Sequence, residues 1–89
     1  MTVTWLAGEP GDDGPPRVAY AVGRRAGGAV VRNRIRRRLR AVVCEAAAEL
    51  APGSYLIGAG TAAATLPYDE LRATVTKALR AAQSRGGRG

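Results

Sequence analysis

Gly23-Arg24-Arg25-Ala26-Gly27-Gly28-Ala29-Val30-Val31-Arg32-Asn33-Arg34-Ile35-Arg36-Arg37-Arg38-Leu39-Arg40 is the stretch on which the fold of this 89-residue chain turns. Six arginines fall within residues 32–40, and Arg24 and Arg25 stand just upstream. Apolar residues run through the stretch and past it at helical spacing. At about 100° per residue, Val31, Ile35, Leu39, Val42, Val43, Ala46 and Leu50 occupy a sector of about 120°, the width of a stripe that docks on a core. Asn33, Arg34, Arg36, Arg37, Arg38 and Arg40 take the rest of the circumference, with Arg32 at the border of the stripe. One helix is expected from Ala29 or Val30 to about Leu50, where Pro52 and Gly53 stop it.

The charge is as uneven as the pattern. Residues 17–40 hold nine arginines and no acid, whereas the rest of the chain sets five basic residues against seven acidic ones. The net charge of +7 and the pI near 11.1 therefore describe one patch. Like charges at i,i+4, as at Arg32, Arg36 and Arg40, destabilise a helix. Glu45 and Glu49 come too late to pair with most of the run. Such a face is explained by a partner that is itself a polyanion, since guanidinium forks grip phosphate oxygens in pairs and stack on bases. The helix N-terminus adds free N–H groups that favour phosphate. Residues 23–28 carry glycines at 23, 27 and 28. No Gly-Lys-Ser/Thr follows, so this is not a nucleotide-binding loop; the glycines turn the chain from strand to helix and bring Arg24 and Arg25 to the start of the arginine run.

Working outward, Thr2 to Leu6 is β-branched and aromatic, and reads as a strand. Residues 8–16 are dense in turn formers, a mobile connection. Residues 17–22 form a second strand, with Val18, Tyr20 and Val22 on one face and Ala19 and Ala21 on the other. The simplest pairing of these two is an antiparallel hairpin. Residues 54–58 make a short apolar strand, and residues 60–66 a loop of small residues. Pro67 opens a second helix, with Asp69 and Glu70 in its first turn and Leu71, Val75, Ala78, Leu79 and Ala82 as its buried stripe. Residues 84–89 read as a flexible basic tail. The order is β-β-α-β-α in a single domain over 1–89: an α+β fold, helices packed on a small, mostly antiparallel sheet.

Several function classes drop out. The chain has no histidine and one cysteine, Cys44, so an internal disulfide is impossible, and zinc sites and His-based acid–base chemistry are excluded. Glu9, Asp12, Asp13 and Asp69 form no convincing catalytic pair. Cys44 projects near Arg37 and Arg40 without a catalytic partner. No catalytic residue, no metal ligand and no small-molecule site is expected. No run approaches the roughly 18 apolar residues of a membrane span, and residues 1–11 lack a signal-peptide pattern, so a cytoplasmic location is expected. Trp5, Tyr20, Tyr55 and Tyr68 have the chemistry to stack on bases, but in so small a domain their first use is the core.

The run 23–40, with its basic pair, glycine, Ala-Val, Arg-Asn-Arg and further spaced basics on one helix, closely resembles the signature of the bacterial ribonuclease P protein family. The flanking strands and the final helix also fall where that family has them. The resemblance implies an α+β sandwich with a left-handed βαβ crossover, against the usual hand, in the fold class of the second domain of a small-subunit ribosomal protein. It implies a protein that binds the catalytic RNA subunit of ribonuclease P and helps it remove the 5′ leader from precursor tRNA, with the catalytic Mg2+ held by the RNA and none by the protein. By position, Arg32, Asn33, Arg34, Arg36, Arg37 and Arg40 would contact RNA, with Arg24 and Arg25 beside them. Asn33 adds no charge, so its place suggests a specific hydrogen bond; a polar residue near a helix start is the plainer account. Arg36, Ala41 and Gly23 stand where the family often has lysine, an acid and serine. Family members usually begin with a further helix and strand, roughly thirty residues, that wall the leader cleft. The resemblance implies that this chain lacks them, which puts leader binding and stability most at risk. Two other readings are a small ribosome-associated or general RNA-binding protein, and a non-functional fragment.

Overall fold

The computed structural model describes residues 1–7 and 16–86. Three strands, β1 (Thr2–Ala7), β2 (Arg17–Ala21) and β3 (Gly53–Gly58), form one sheet in the order β1-β3-β2. Three α-helices, α1 (Ala29–Ala46), α2 (Ala62–Thr65) and α3 (Tyr68–Gly86), complete the described fold. A 3₁₀ turn at Arg24–Ala26 precedes α1, and another at Ala47–Glu49 extends it. The α+β class and the order of the main elements are as expected.

The expected β1–β2 hairpin does not form. Strand β3 lies between the two, antiparallel to β1 (Val3 opposite Ile57, Trp5 opposite Tyr55) and parallel to β2 (Val18 opposite Tyr55, Tyr20 opposite Ile57). The sheet is thus mixed rather than mostly antiparallel. The reason lies in what each strand can bury. Tyr55 and Ile57 are almost fully buried, while β2 alternates between exposed and half-buried residues. The central position goes to the strand with the most apolar surface to hide. Parallel pairing of β2 with β3 also requires a long crossover, and α1 is that crossover. Of the connection expected to be mobile, residues 8–16, all but Pro16 lie outside the described part.

Both long helices lie on the same face of the sheet as Val3, Tyr55 and Ile57. Ile35, Leu39, Val42 and Val43 of α1 meet Leu71, Val75, Leu79 and Ala82 of α3 there. Among the described residues no polar or charged residue is buried in this core. Its one large polar tip, the Tyr55 hydroxyl, donates to the Ala51 carbonyl at 2.7 Å. Trp5 stacks on Tyr55 with ring centroids 6.2 Å apart, and its Nε1 donates to the Pro52 carbonyl at 3.3 Å. The opposite face carries Thr2, Thr4, Leu6, Arg17, Ala19, Ala21, Ser54 and Leu56, all exposed, with no described element over it. The aromatic rings thus serve the covered side of the sheet.

Two more expectations change. Residues 60–66, read as a loop, contain the one-turn helix α2, with Ala63 and Ala64 buried against α1. A single turn is too short to show a period in sequence. Residues 84–86, assigned to the tail, continue α3; no proline interrupts the helix, and propagation costs little once a long helix exists. Residues 87–89 lie outside the described part.

Candidate RNA interface

Helix α1 docks by its apolar stripe as the projection requires: Ile35, Leu39, Val42 and Val43 are buried, and Val31 and Ala46 pack at the margin. The opposite arc then faces solvent by geometry alone. Asn33, Arg34, Arg37 and Arg40 are exposed, and Arg32 and Arg36 are half-buried. Arg24 and Arg25, both exposed, sit on the 3₁₀ turn just before the helix. That turn closes through hydrogen bonds from Ala26 N to Gly23 O and from Gly27 N to Arg24 O, each 3.1 Å. Gly27 has φ +135°, a conformation that side chains rarely adopt, and a Cβ there would stand 2.9 Å from the Cβ of Val31. A glycine is needed at this corner for the turn to fold tightly onto α1. All eight predicted contact residues therefore fall on α1 or the turn at its start.

The patch is electrostatically open. The ion pairs among the described residues join Arg72 to Glu45 (4.0 Å) and Asp69 (3.3 Å), and Arg80 to Glu49 (3.6 Å). Both acids of the α1 segment thus serve α3, and no described carboxylate pairs with Arg24, Arg25 or the run 32–40. The local partners are neutral. Arg36 Nη1 donates to Asn33 Oδ1 at 3.2 Å, so the amide orients a guanidinium. The Arg40 guanidinium lies 5.8 Å from the centre of the Tyr20 ring, a cation–π contact that ties the end of the run to β2. Burial raises the Tyr20 phenol above its usual pKa, against the lowering effect of Arg40. Arg32 Nε is buried without a hydrogen-bond partner, a donor unused by the protein itself.

Between these side chains lies an open depression of about 440 Å³ lined by Val30, Asn33, Arg36, Arg37 and Arg40. Val30, on its lining, is 83% exposed. The site residues named from sequence omit Val30; the signal was its position on the helical projection, outside the core stripe and next to Arg37. An exposed apolar side chain beside guanidinium groups suits a ribose or base edge next to a phosphate. Cys44 is exposed.

One arginine of the run behaves differently. The helical projection puts Arg38 on the exposed arc, but it is half-buried. Its Nη1 donates to the Ala63 carbonyl at 2.7 Å and its Nη2 to the Leu66 carbonyl, at the C-terminal end of α2. On the projection Arg38 stands only about 20° from Val31, so a neighbouring element can claim it. It is not among the eight predicted contacts.

The family model described as Ribonuclease P matches residues 1–83. The ribonuclease P protein component of Thermobifida fusca is 47% identical over 74 residues, covering 82% of this chain and 50% of that protein. That of Acidothermus cellulolyticus is 39% identical over 89 residues, covering 98% and 74%. The chain spans about half the length of several relatives it matches. The solved ribonuclease P protein of Staphylococcus aureus superposes with a TM-score of 0.76 over 91% of this chain and 72% of that one, at 20% identity, which speaks for the fold. These comparisons give the alternative of a ribosome-associated or general RNA-binding protein no support. With a family model running through sheet, arginine helix and most of α3, this chain belongs to the ribonuclease P protein family.

Proposed function

We propose that this chain is the RNA-binding protein subunit of ribonuclease P, acting with the catalytic RNA to remove the 5′ leader from precursor tRNA in the cytoplasm. The observation that carries the reading is the arginine face of α1, presented to solvent and neutralised by no described carboxylate of its own chain. In this reading Arg24, Arg25, Arg32, Arg34, Arg36, Arg37 and Arg40 neutralise RNA phosphates and release counterions. Asn33 holds Arg36 in place and offers its amide to the RNA. Val30 gives an apolar seat within the charge.

The protein supplies charge and position rather than bond chemistry. Among the described residues no cluster of three or more His, Cys, Asp or Glu is assembled to hold a metal ion. In this reading the catalytic magnesium would belong to the RNA, where it would supply activation of the attacking water, and the chain's own residues bind and orient the RNA. The protein's share is to lower repulsion between RNA segments that must pack together, an effect that matters most when magnesium is scarce. Contact with the leader would use the sheet face that no described element covers, which offers Leu6, Leu56 and threonine hydroxyls rather than stacking rings. No helix among the described residues is long and apolar enough to cross a membrane.

The test uses Thermobifida fusca ribonuclease P RNA and a precursor tRNA at low magnesium. Adding the chain should raise the rate of leader removal. No rise, while the Thermobifida protein component raises it under the same conditions, would contradict the proposal.

A further inference from the structure

Arg38 and Thr61 hold the two ends of α2. Helix α2 is a single turn, and an isolated turn of four residues does not persist in water, because nucleation fixes several residues for one hydrogen bond. Its last carbonyls also lack partners within the helix. Arg38 supplies those partners, with charged donors to the carbonyls of Ala63 and Leu66. At the other end, the Thr61 hydroxyl stands 3.4 Å from the Arg25 carbonyl and 3.5 Å from the Ala26 carbonyl, and donates across both. Between these ends Ala63 and Ala64 are buried against α1, and Ala26 is buried below the turn. Just upstream, Ala59 N donates to Ala21 O at 3.2 Å, so the segment after β3 follows the end of β2 toward the same turn.

We propose that Arg38 and Thr61 are positioning residues for the RNA interface: together they fix α2, and through it the turn that presents Arg24 and Arg25 beside the arginine face of α1. The inference rests on the RNA-binding reading and adds to it a division of labour within one arginine run. Arg38 touches no phosphate. It sets the spacing between the two halves of the patch. Phosphates along a strand are regularly spaced, so loose Arg24 and Arg25 would contribute less than the same residues held in register.

The experiment is a double-mutant cycle read by affinity for Thermobifida fusca ribonuclease P RNA at fixed salt. The substitutions Thr61→Val, Thr61→Ser and Arg38→Met are each placed in the wild-type chain and in one carrying Arg24→Ala and Arg25→Ala. In the wild-type background Thr61→Val should weaken binding about 3-fold and Arg38→Met about 5- to 10-fold, less than the two charged hydrogen bonds are worth to the fold, because binding loses only the benefit of holding Arg24 and Arg25 in register. Thr61→Ser, which keeps the hydroxyl, should bind as wild type. In the Arg24/Arg25-deficient background the losses should vanish, because the residues being positioned are gone. Equal losses in both backgrounds would overturn the proposal, as a direct phosphate contact or a general loss of fold behaves that way. No loss in the wild-type background would also overturn it. If circular dichroism shows that Arg38→Met does not fold, the Thr61 series decides alone. If Arg24→Ala with Arg25→Ala costs nothing while Arg36→Ala, Arg37→Ala and Arg40→Ala together do, the positioning idea fails and the RNA-binding reading stands. If neither set matters, the RNA-binding reading itself is wrong.

Discussion

Helix α3 meets Arg72 and Arg80 with Asp69, Glu45 and Glu49, whereas the exposed arc of α1 meets its arginines with an amide, a phenol ring and water. Both helices bury an apolar stripe of the same kind on the same side of the same sheet. The difference is therefore not one of fold. On α3 the charges compensate one another and tie the two helices together. On α1 they repel, and the isolated protein gains nothing from holding them so close. The contrast separates arginines that serve the protein from arginines that, on the RNA-binding reading, serve a partner, and experiments can break or sharpen that separation.

The largest effect should be on RNA affinity. Replacing Arg36, Arg37 and Arg40 together with Ala is expected to weaken binding to ribonuclease P RNA on the order of 10²-fold, while replacing Arg72 and Arg80 should change it less than about 2-fold. Filter binding or fluorescence anisotropy at one salt concentration checks both. Similar losses from the two sets would mean that the two helices share the RNA.

Next comes the corner between the turn and the helix. Gly27→Ala should destabilise the fold by about 1–3 kcal/mol, because φ +135° strains any side chain and the new Cβ meets Val31. Thermal melting measures it. An unchanged melting temperature would show that the turn carrying Arg24 and Arg25 is free to rearrange.

Smaller, but diagnostic by sign, are single substitutions in the free protein. Arg37 has Arg34 and Arg40 as helical neighbours and no acid beside it, so Arg37→Ala should stabilise by about 0.2–0.5 kcal/mol. Arg80→Ala removes its pair with Glu49 and should destabilise by no more than about 1 kcal/mol, since both side chains are largely exposed. Chemical denaturation of the two variants gives the signs, and a stabilising Arg80→Ala would undo the contrast.

The smallest effect concerns pH. Burial raises the phenol pKa of Tyr20 and of Tyr55 above the ordinary value of 10.0. The folded state thus holds these protons more tightly than the unfolded chain does. Stability from this source is complete below about pH 10 and is lost as pH rises through the higher folded values. Melting at about pH 8 and about pH 11 should show the decline, and Tyr20→Phe should reduce it.

Much of this was readable in the sequence, for definite reasons. The spacing of Ile35, Leu39, Val42 and Val43 fixes which side of α1 docks, and the exposed positions of Arg34, Arg37 and Arg40 follow from it. Leu71, Val75, Leu79 and Ala82 do the same for α3. The late positions of Glu45 and Glu49 put most of the run beyond their reach, and both pair with α3 instead. What escaped was set by tertiary competition. Local adjacency favours a hairpin of β1 with β2, but Tyr55 and Ile57 give β3 the stronger claim to the centre of the sheet. Helix α2 has no period to read in Ala62–Thr65. Arg38 lies at the edge of the stripe, where the pattern leaves both directions open, and two carbonyls of α2 decide it.

The salt dependence of RNA binding tests the reading of α1 most directly. Each phosphate contact contributes about −0.7 to −0.9 to the slope of log affinity against log salt. For the wild-type chain and the Arg36, Arg37 and Arg40 triple-alanine variant, binding to ribonuclease P RNA is measured across a salt series. The expected result is a steep wild-type slope that becomes shallower by about 2–3 in the variant. Identical slopes would mean that these guanidinium groups do not touch phosphate, and the assignment of the α1 face to RNA would be wrong.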